Sequence, residues 1–150
     1  MKSLNEQIAA LALEYVTIKV PFQHRGMTRN GCDCTGLIVA ICRELGFLST
    51  FVLRQYKTDW NLHAGAGNRI LEELDKVGNV IPNSEAGIGD IAVMWMGRYP
   101  GHCGIIVNPG PVMVHLLKTE RFCKKSVLKN SNWSKCWRAT YRLDEEKLKR

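Results

Sequence analysis

No stretch of the chain approaches the roughly 18 consecutive apolar residues of a membrane-spanning helix, so membrane insertion is not expected. Met1-Lys2-Ser3-Leu4 runs into an acid-containing stretch with neither a long apolar segment nor an export cleavage site. The expectation is a chain made in the cytoplasm without a signal peptide. Repeats, low-complexity tracts and interdomain linkers are also missing, which points to one domain over residues 1–150. Disorder and collagen-like structure are excluded by 45% apolar and 23% charged residues. Cysteine is present six times, too sparsely for a disulfide scaffold, and free thiols are the better assumption.

Charge is uneven. Ten Lys/Arg balance ten Asp/Glu up to Leu117, whereas eleven Lys/Arg face four Asp/Glu from Lys118 onward. A basic end attracts nucleic acid, anionic lipid or an anionic wall polymer, or is simply a solvated edge. No nucleic-acid motif accompanies it, so no nucleic-acid partner is expected.

Helices come first along the chain. Ser3-Leu4-Asn5-Glu6 has capping-box spacing, and Leu4, Ile8, Leu11 and Tyr15 share one helical face ending before Pro21. Gln23 to Gly31 reads as a loop. Leu37, Ile38, Ile41 and Leu45 form a second stripe with Gly46 just past its end. Phe47 to Gly67 reads as irregular. A third helix carries Ile70, Leu71, Leu74 and Val77, with Asn68 as cap and Gly78 as stop. Glu72 and Glu73 read as surface charge on it. Beyond Gly89 the pattern becomes strand-like over Asp90–Trp95, Cys103–Val107, Val112–Leu117 and Trp137–Leu143. Helices followed by strands imply an α+β fold with an antiparallel meander.

The chemistry concentrates at Gly31-Cys32-Asp33-Cys34-Thr35-Gly36-Leu37. A thiol at a helix start meets unpaired backbone N–H groups and the positive end of the helix dipole, both of which favour a thiolate. Cys34 holds that place, and Cys32, still in the loop, is weaker. Asp33 can cap the helix, although its charge would oppose ionisation of a sulfur it faced. A small, inert, buried Cys34 is the competing reading.

Two histidines follow. If Asn108-Pro109-Gly110-Pro111 is a four-residue hairpin loop, Val107 faces Val112, Gly104 faces His115 and His102 faces Leu117. Alternation then sends His102, Gly104, His115 and Leu117 to one face. The two rings become diagonal neighbours with Gly104 leaving room for one of them. A nucleophile, a base and an orienting group need that arrangement.

These residues resemble the NlpC-type cell-wall peptidases, which have a reduced papain-like fold. Asp33-Cys34-Thr35-Gly36-Leu37 is similar to their Asp-Cys-Ser/Thr-Gly-Leu motif, and Gly89-Asp90-Ile91-Ala92-Val93 to their Gly-Asp-apolar strand. His102-Cys103-Gly104-Ile105-Ile106-Val107 resembles their His-x-Gly-Ile strand, and Met113-Val114-His115 the following apolar-His segment. The likeness runs from Val20 to Leu117. It implies Cys34 as nucleophile, His102 as base, His115 as orienting residue, no cofactor or metal, and peptide or amide bonds of peptidoglycan stem peptides as substrate. Val20–Gly26, Arg43–Gly46 and Trp137–Arg142 further resemble a phage-tail subgroup, with other tail proteins as partners and the bacterial wall as site of action. One departure is Phe22, where many members carry a tyrosine whose hydroxyl is thought to help the oxyanion site. Gln23, His24 and Asp33 are the remaining oxyanion or substrate-binding candidates. Losing one oxyanion donor commonly costs about 10²–10³ in rate.

Other classes compete. Zinc would use cysteine and histidine, but Cys32-x-Cys34 lacks the usual spacing and His102 and Cys103 diverge from one strand. One residue between Cys32 and Cys34 also departs from the Cys-x-x-Cys redox pattern. A non-catalytic tail or wall-binding module would use Trp133, Trp137 and Tyr141 among Lys135, Arg138 and Arg142. Alternatively, those aromatics cover the sheet and the cations stay solvated. Cys42, Cys123 and Cys136 read as structural.

Overall fold

In the computed structural model, which describes residues 1–47 and 69–149, Ser3 opens helix α1 (Leu4–Thr17) with the expected capping box. The Ser3 hydroxyl accepts from Glu6 N at 3.1 Å, and Ser3 N donates to the Glu6 carboxylate at 3.0 Å. Ile8, Ala12 and Tyr15 face the core, with Leu4 and Leu11 half-buried at its edge. The loop expected over Gln23–Gly31 contains a small ribbon, β1 (Met27–Thr28) antiparallel to β2 (Gly31–Cys32).

Helix α2 (Cys34–Glu44) ends before Gly46, whose φ of 95° suits glycine just past a helix. Its burial is not a stripe. Every residue from Thr35 to Cys42 is buried, so the helix is enclosed over two turns. A Cβ at Gly36 would run into the Gly26 carbonyl, which is why this turn needs glycine.

Helix α3 (Arg69–Val77) buries Ile70, Leu74 and Val77. Glu73, expected at the surface, is 4% exposed and sends its carboxylate to Lys76 Nζ at 3.2 Å. Gly78 does not simply stop the helix. It begins strand β3 (Gly78–Ile81), where a Cβ would sit 2.7 Å from the Arg142 carbonyl oxygen. The irregular stretch expected over Phe47–Gly67 lies outside the described residues from residue 48 onward, as does the Asn68 cap.

The remaining strands are β4 (Ile91–Met96), β5 (Tyr99–Asn108), β6 (Val112–His115), β7 (Lys124–Val127) and β8 (Trp137–Leu143). They form one antiparallel sheet in the order β3-β8-β4-β5-β6-β7. The sequence reading missed β3 and β7. One core cluster joins Ile91, Val93, Ile105 and Val114 to Ile8, Leu37 and Ile41 of the helices. Each such aliphatic side chain contributes about 1.5–3 kcal/mol when fully buried. A second cluster of Ala92, Met94, Ile106, Met113 and Leu128 packs with Trp133 and Trp137 from short helix α4 (Asn132–Cys136) and β8. Helix α5 (Glu145–Leu148) tucks Leu148 into the first cluster.

Gly89-Asp90 is a structural clasp. Gly89 has φ 83°, and a Cβ there would strike the Asn5 backbone. The fully buried Asp90 accepts from Asn5 Nδ2 at 3.0 Å, Gly87 N at 2.8 Å, and Arg142 Nε and Nη2 at 2.9 and 2.8 Å. One carboxylate thus ties α1 to β8. Asp90→Ala is expected to lower the unfolding free energy by about 2 kcal/mol, since it removes four hydrogen bonds, two of them from the Arg142 guanidinium. Equal denaturant midpoints for Asp90→Ala and wild type would show that the clasp contributes nothing.

Candidate active site

The β5–β6 hairpin sets the histidines. Ile105 faces Val114 and Ile106 faces Met113, the expected register. The expected Val107–Val112 pair does not form. Asn108 faces Val112 instead, and the register shifts between Ile106 and Asn108, so the extra residue is absorbed as an irregularity beside the turn. Away from the turn the side-chain parity survives. A Cβ at Gly104 would lie 2.6 Å from Met113 Sδ and 3.2 Å from His115 Cβ, so the glycine makes room chiefly for Met113 and then for the base of the His115 side chain.

His102 and His115 are 3% and 0% exposed. Their Nε2 and Nδ1 atoms share a hydrogen bond of 2.9 Å, and His115 Nε2 shares another of 2.7 Å with Ser126 Oγ on β7. Trp133 covers the pair, its ring centroid 5.3 Å from that of His102 and 5.1 Å from that of His115.

Cys34, the first residue of α2, is half-buried. Its thiol is held well below the ordinary cysteine value, first by a hydrogen bond with the Cys103 thiol. Burial opposes this, while a hydrogen bond and the positive field from His102 favour the thiolate further. Cys103 also donates to the Cys34 carbonyl at 3.5 Å, and its own thiol is pushed up, first by that partnership with Cys34 and then by burial. Cys32 is of another kind. It is buried, donates to Thr28 O at 3.0 Å, and is pushed up to about 12 by burial and then by Asp33. Burial likewise pushes Cys42 and Cys123 up to about 12. All six cysteines are free.

Asp33 is the helix cap. It is 4% exposed and accepts from Gly36 N at 2.8 Å, Arg25 N at 2.9 Å and Thr35 Oγ1 at 3.3 Å. Burial, and next the negative charge of Cys34, raise its pKa to about 6. Gln23 and His24 belong to the turn leading into β1. Gln23 N donates to Cys32 O at 2.8 Å, Gly26 N closes the turn on Gln23 O at 2.8 Å, and the exposed Gln23 side chain lies over Gly31. His24 is half-buried within that turn. Phe22 bridges to Cys32.

Cys103, Ser126 and Trp133 were not legible as site residues. On β7 the half-buried positions are Lys124 and Ser126, while Val127 is exposed, an inversion of the usual pattern that hides the strand. The C-terminal aromatics do not form an exposed platform: Trp133 and Trp137 are partly buried, and the buried Tyr141 donates to Asp75. Lys135 and Arg138 are exposed beside them. Among the described residues no group of three or more His, Cys, Asp or Glu side chains is placed to hold a metal.

His115 is held neutral. Burial first, then the charges of His102 and Lys124, bring its pKa to about 3. The unfolded ring binds a proton near pH 6.5 and the folded ring does not, so His115 makes stability fall as pH drops from about 6.5 towards about 3. Asp33 acts oppositely. Its folded pKa is raised, so stability falls as pH rises from about 4 to about 6. His115→Gln is therefore expected to flatten the acid loss of stability in urea titrations at stepped pH. Parallel curves for variant and wild type would refute it.

The NlpC/P60 family model matches residues 19–142 of the chain. The NlpC/p60 domain of the peptidoglycan hydrolase SagA is similar, with a TM-score of 0.62 at 16% identity over 94% of this chain and 100% of that one. An NlpC/P60 family protein from Bacillus cereus ATCC 10987 gives 0.70 at 14% identity, over 95% of this chain and 41% of the other. NlpC2 from Trichomonas vaginalis gives 0.66 at 15% identity, over 95% and 48%. The chain thus spans all of the SagA domain but less than half of the other two proteins. No curated protein matches it. At these identities the structural likeness speaks for the fold, the papain-like α+β arrangement of helices against an antiparallel sheet. By the extent of the family match, the chain belongs to the NlpC/P60 family, whose members are generally cysteine-type hydrolases of cell-wall peptidoglycan.

Proposed function

We propose that this chain is a cysteine peptidase or amidase that hydrolyses peptide bonds in peptidoglycan stem peptides. The observation that carries the reading is the contact chain running from an ionisation-prone, half-buried thiol through His102 to His115. His102 accepts the thiol proton and Cys34 attacks the scissile carbonyl. His102 then protonates the leaving amine, and water hydrolyses the thioester. His115 orients the His102 ring. The backbone N–H of Cys34, at the head of α2, supplies one donor to the oxyanion. Phe22 offers no hydroxyl, which leaves Gln23 and His24 as candidates for the second. Asp33 enters as the cap that holds the nucleophile's helix start.

The likeness of Val20–Gly26, Arg43–Gly46 and Trp137–Arg142 to a phage-tail subgroup supports action at the bacterial wall within a tail apparatus. The inward-turned tryptophans favour catalysis over a wall-binding platform. Purified sacculi incubated with the protein should release soluble fragments whose masses carry new termini within the stem peptide. Prior alkylation by iodoacetamide should stop the release. Masses showing only glycan cleavage, or release that survives alkylation of Cys34, would overturn the proposal.

A further inference from the structure

We propose that Ser126 is a positioning residue that fixes the tautomer of His115 by accepting a hydrogen bond from its Nε2–H. The inference rests on reading Cys34 as nucleophile and His102 as its base. His102 Nε2 is engaged by His115 Nδ1 at 2.9 Å, which leaves His102 Nδ1 to face the thiol. For Nδ1 to accept the thiol proton it must begin bare, so the single proton of the neutral ring sits on Nε2 and is donated to His115 Nδ1. That bond requires His115 Nδ1 to be bare in turn. A neutral His115 then carries its proton on Nε2, the atom 2.7 Å from Ser126 Oγ. The same orientation serves after proton transfer, when His102 is an imidazolium with N–H groups towards both Cys34 and His115. The reverse orientation fails. If Ser126 donated to His115 Nε2, His115 would hold its proton on Nδ1, and His102 would present an N–H to the thiol.

Ser126 is set by the sheet. It pairs with Met113 on β6, while His115 pairs with Lys124, so the hydroxyl reaches His115 along a diagonal. Burial comes first in holding His115 neutral, with Trp133 of α4 covering the ring; His102 from β5, once protonated, and Lys124 from β7 add their positive charge. A hydroxyl can donate or accept, so the direction is set by His102 donating to His115 Nδ1, and Ser126 completes it by accepting from Nε2–H.

The test uses two readouts that do not depend on peptidoglycan. Long-range ¹H–¹⁵N spectra report the tautomer of His115, and the pH profile of Cys34 alkylation by iodoacetamide reports the thiolate. Wild type should show the Nε2–H tautomer. Ser126→Ala should shift His115 towards the Nδ1–H form and move the alkylation midpoint upward by about one pH unit, a tenfold loss of thiolate at a given pH. Ser126→Thr, which restores the hydroxyl, should return both to wild type. An Nδ1–H tautomer in wild type, or a Ser126→Ala protein with unchanged tautomer and profile, would overturn the proposal. Sacculi digestion is scored separately. Intact sacculi with the expected tautomer shift would count against the proposed substrate and leave the Ser126 role standing.

Discussion

Cys34→Ala is expected to abolish fragment release from sacculi, a loss of up to about 10⁶ in turnover where nucleophile and base act as one unit. No neighbouring group can replace the sulfur. Cys103 is fully buried with its thiol pushed up, and Cys32 is likewise buried and un-ionised at neutral pH. The structural cost is small by comparison. Cys34 is half-buried, and its carbonyl, which accepts from the Cys103 thiol, remains in the alanine variant. A stability change of about 1 kcal/mol is therefore anticipated, well inside what a folded domain tolerates. Cys34→Ser tests the same point without loss of shape, because a hydroxyl at this position lacks the ionisation that His102 promotes in a thiol. Fragment release by Cys34→Ala at the wild-type rate would remove this residue from the mechanism.

The second large effect is at His102. His102→Ala deletes the base and the positive field beside Cys34, and a general base is worth about 10²–10⁴ in rate. It also empties a ring-sized space bounded by Cys34, His115 and Trp133. Imidazole added to the medium should enter that space and restore part of the activity to His102→Ala, but none to Cys34→Ala. The alkylation midpoint of Cys34 should rise in His102→Ala, since two influences that favour the thiolate are gone. A variant with wild-type turnover and an unshifted alkylation profile would show that His102 is a neighbour of the thiol and nothing more.

Much of the site could be read before any coordinates because it depends on local chain geometry. A capping residue followed by an apolar run places Cys34 at the first turn of α2. Strand alternation puts His102 and His115 on one face once their separation along the hairpin is counted. That count survived a wrong turn: Val107 does not pair with Val112, yet the irregularity sits between the turn and the histidines, and the register beyond it is unchanged. Gly36, Gly89 and Gly104 were visible as residues of their motifs, but their reasons were not. Each faces atoms supplied by a distant segment: the Gly26 carbonyl, the Asn5 backbone and the Met113 sulfur.

By itself, then, the sequence determined the α+β order of elements, the family motifs, the place of Cys34 at a helix start and the shared face of His102 and His115, because helix starts and strand parity are properties of neighbouring residues. Tertiary structure alone decided that Cys103 flanks the thiol, that Ser126 hydrogen-bonds His115, that Trp133 covers both histidines and that Glu73 is buried. Those placements come from β7 adding to the sheet edge and α4 folding beneath it, pairings between segments far apart in the chain that no local period encodes.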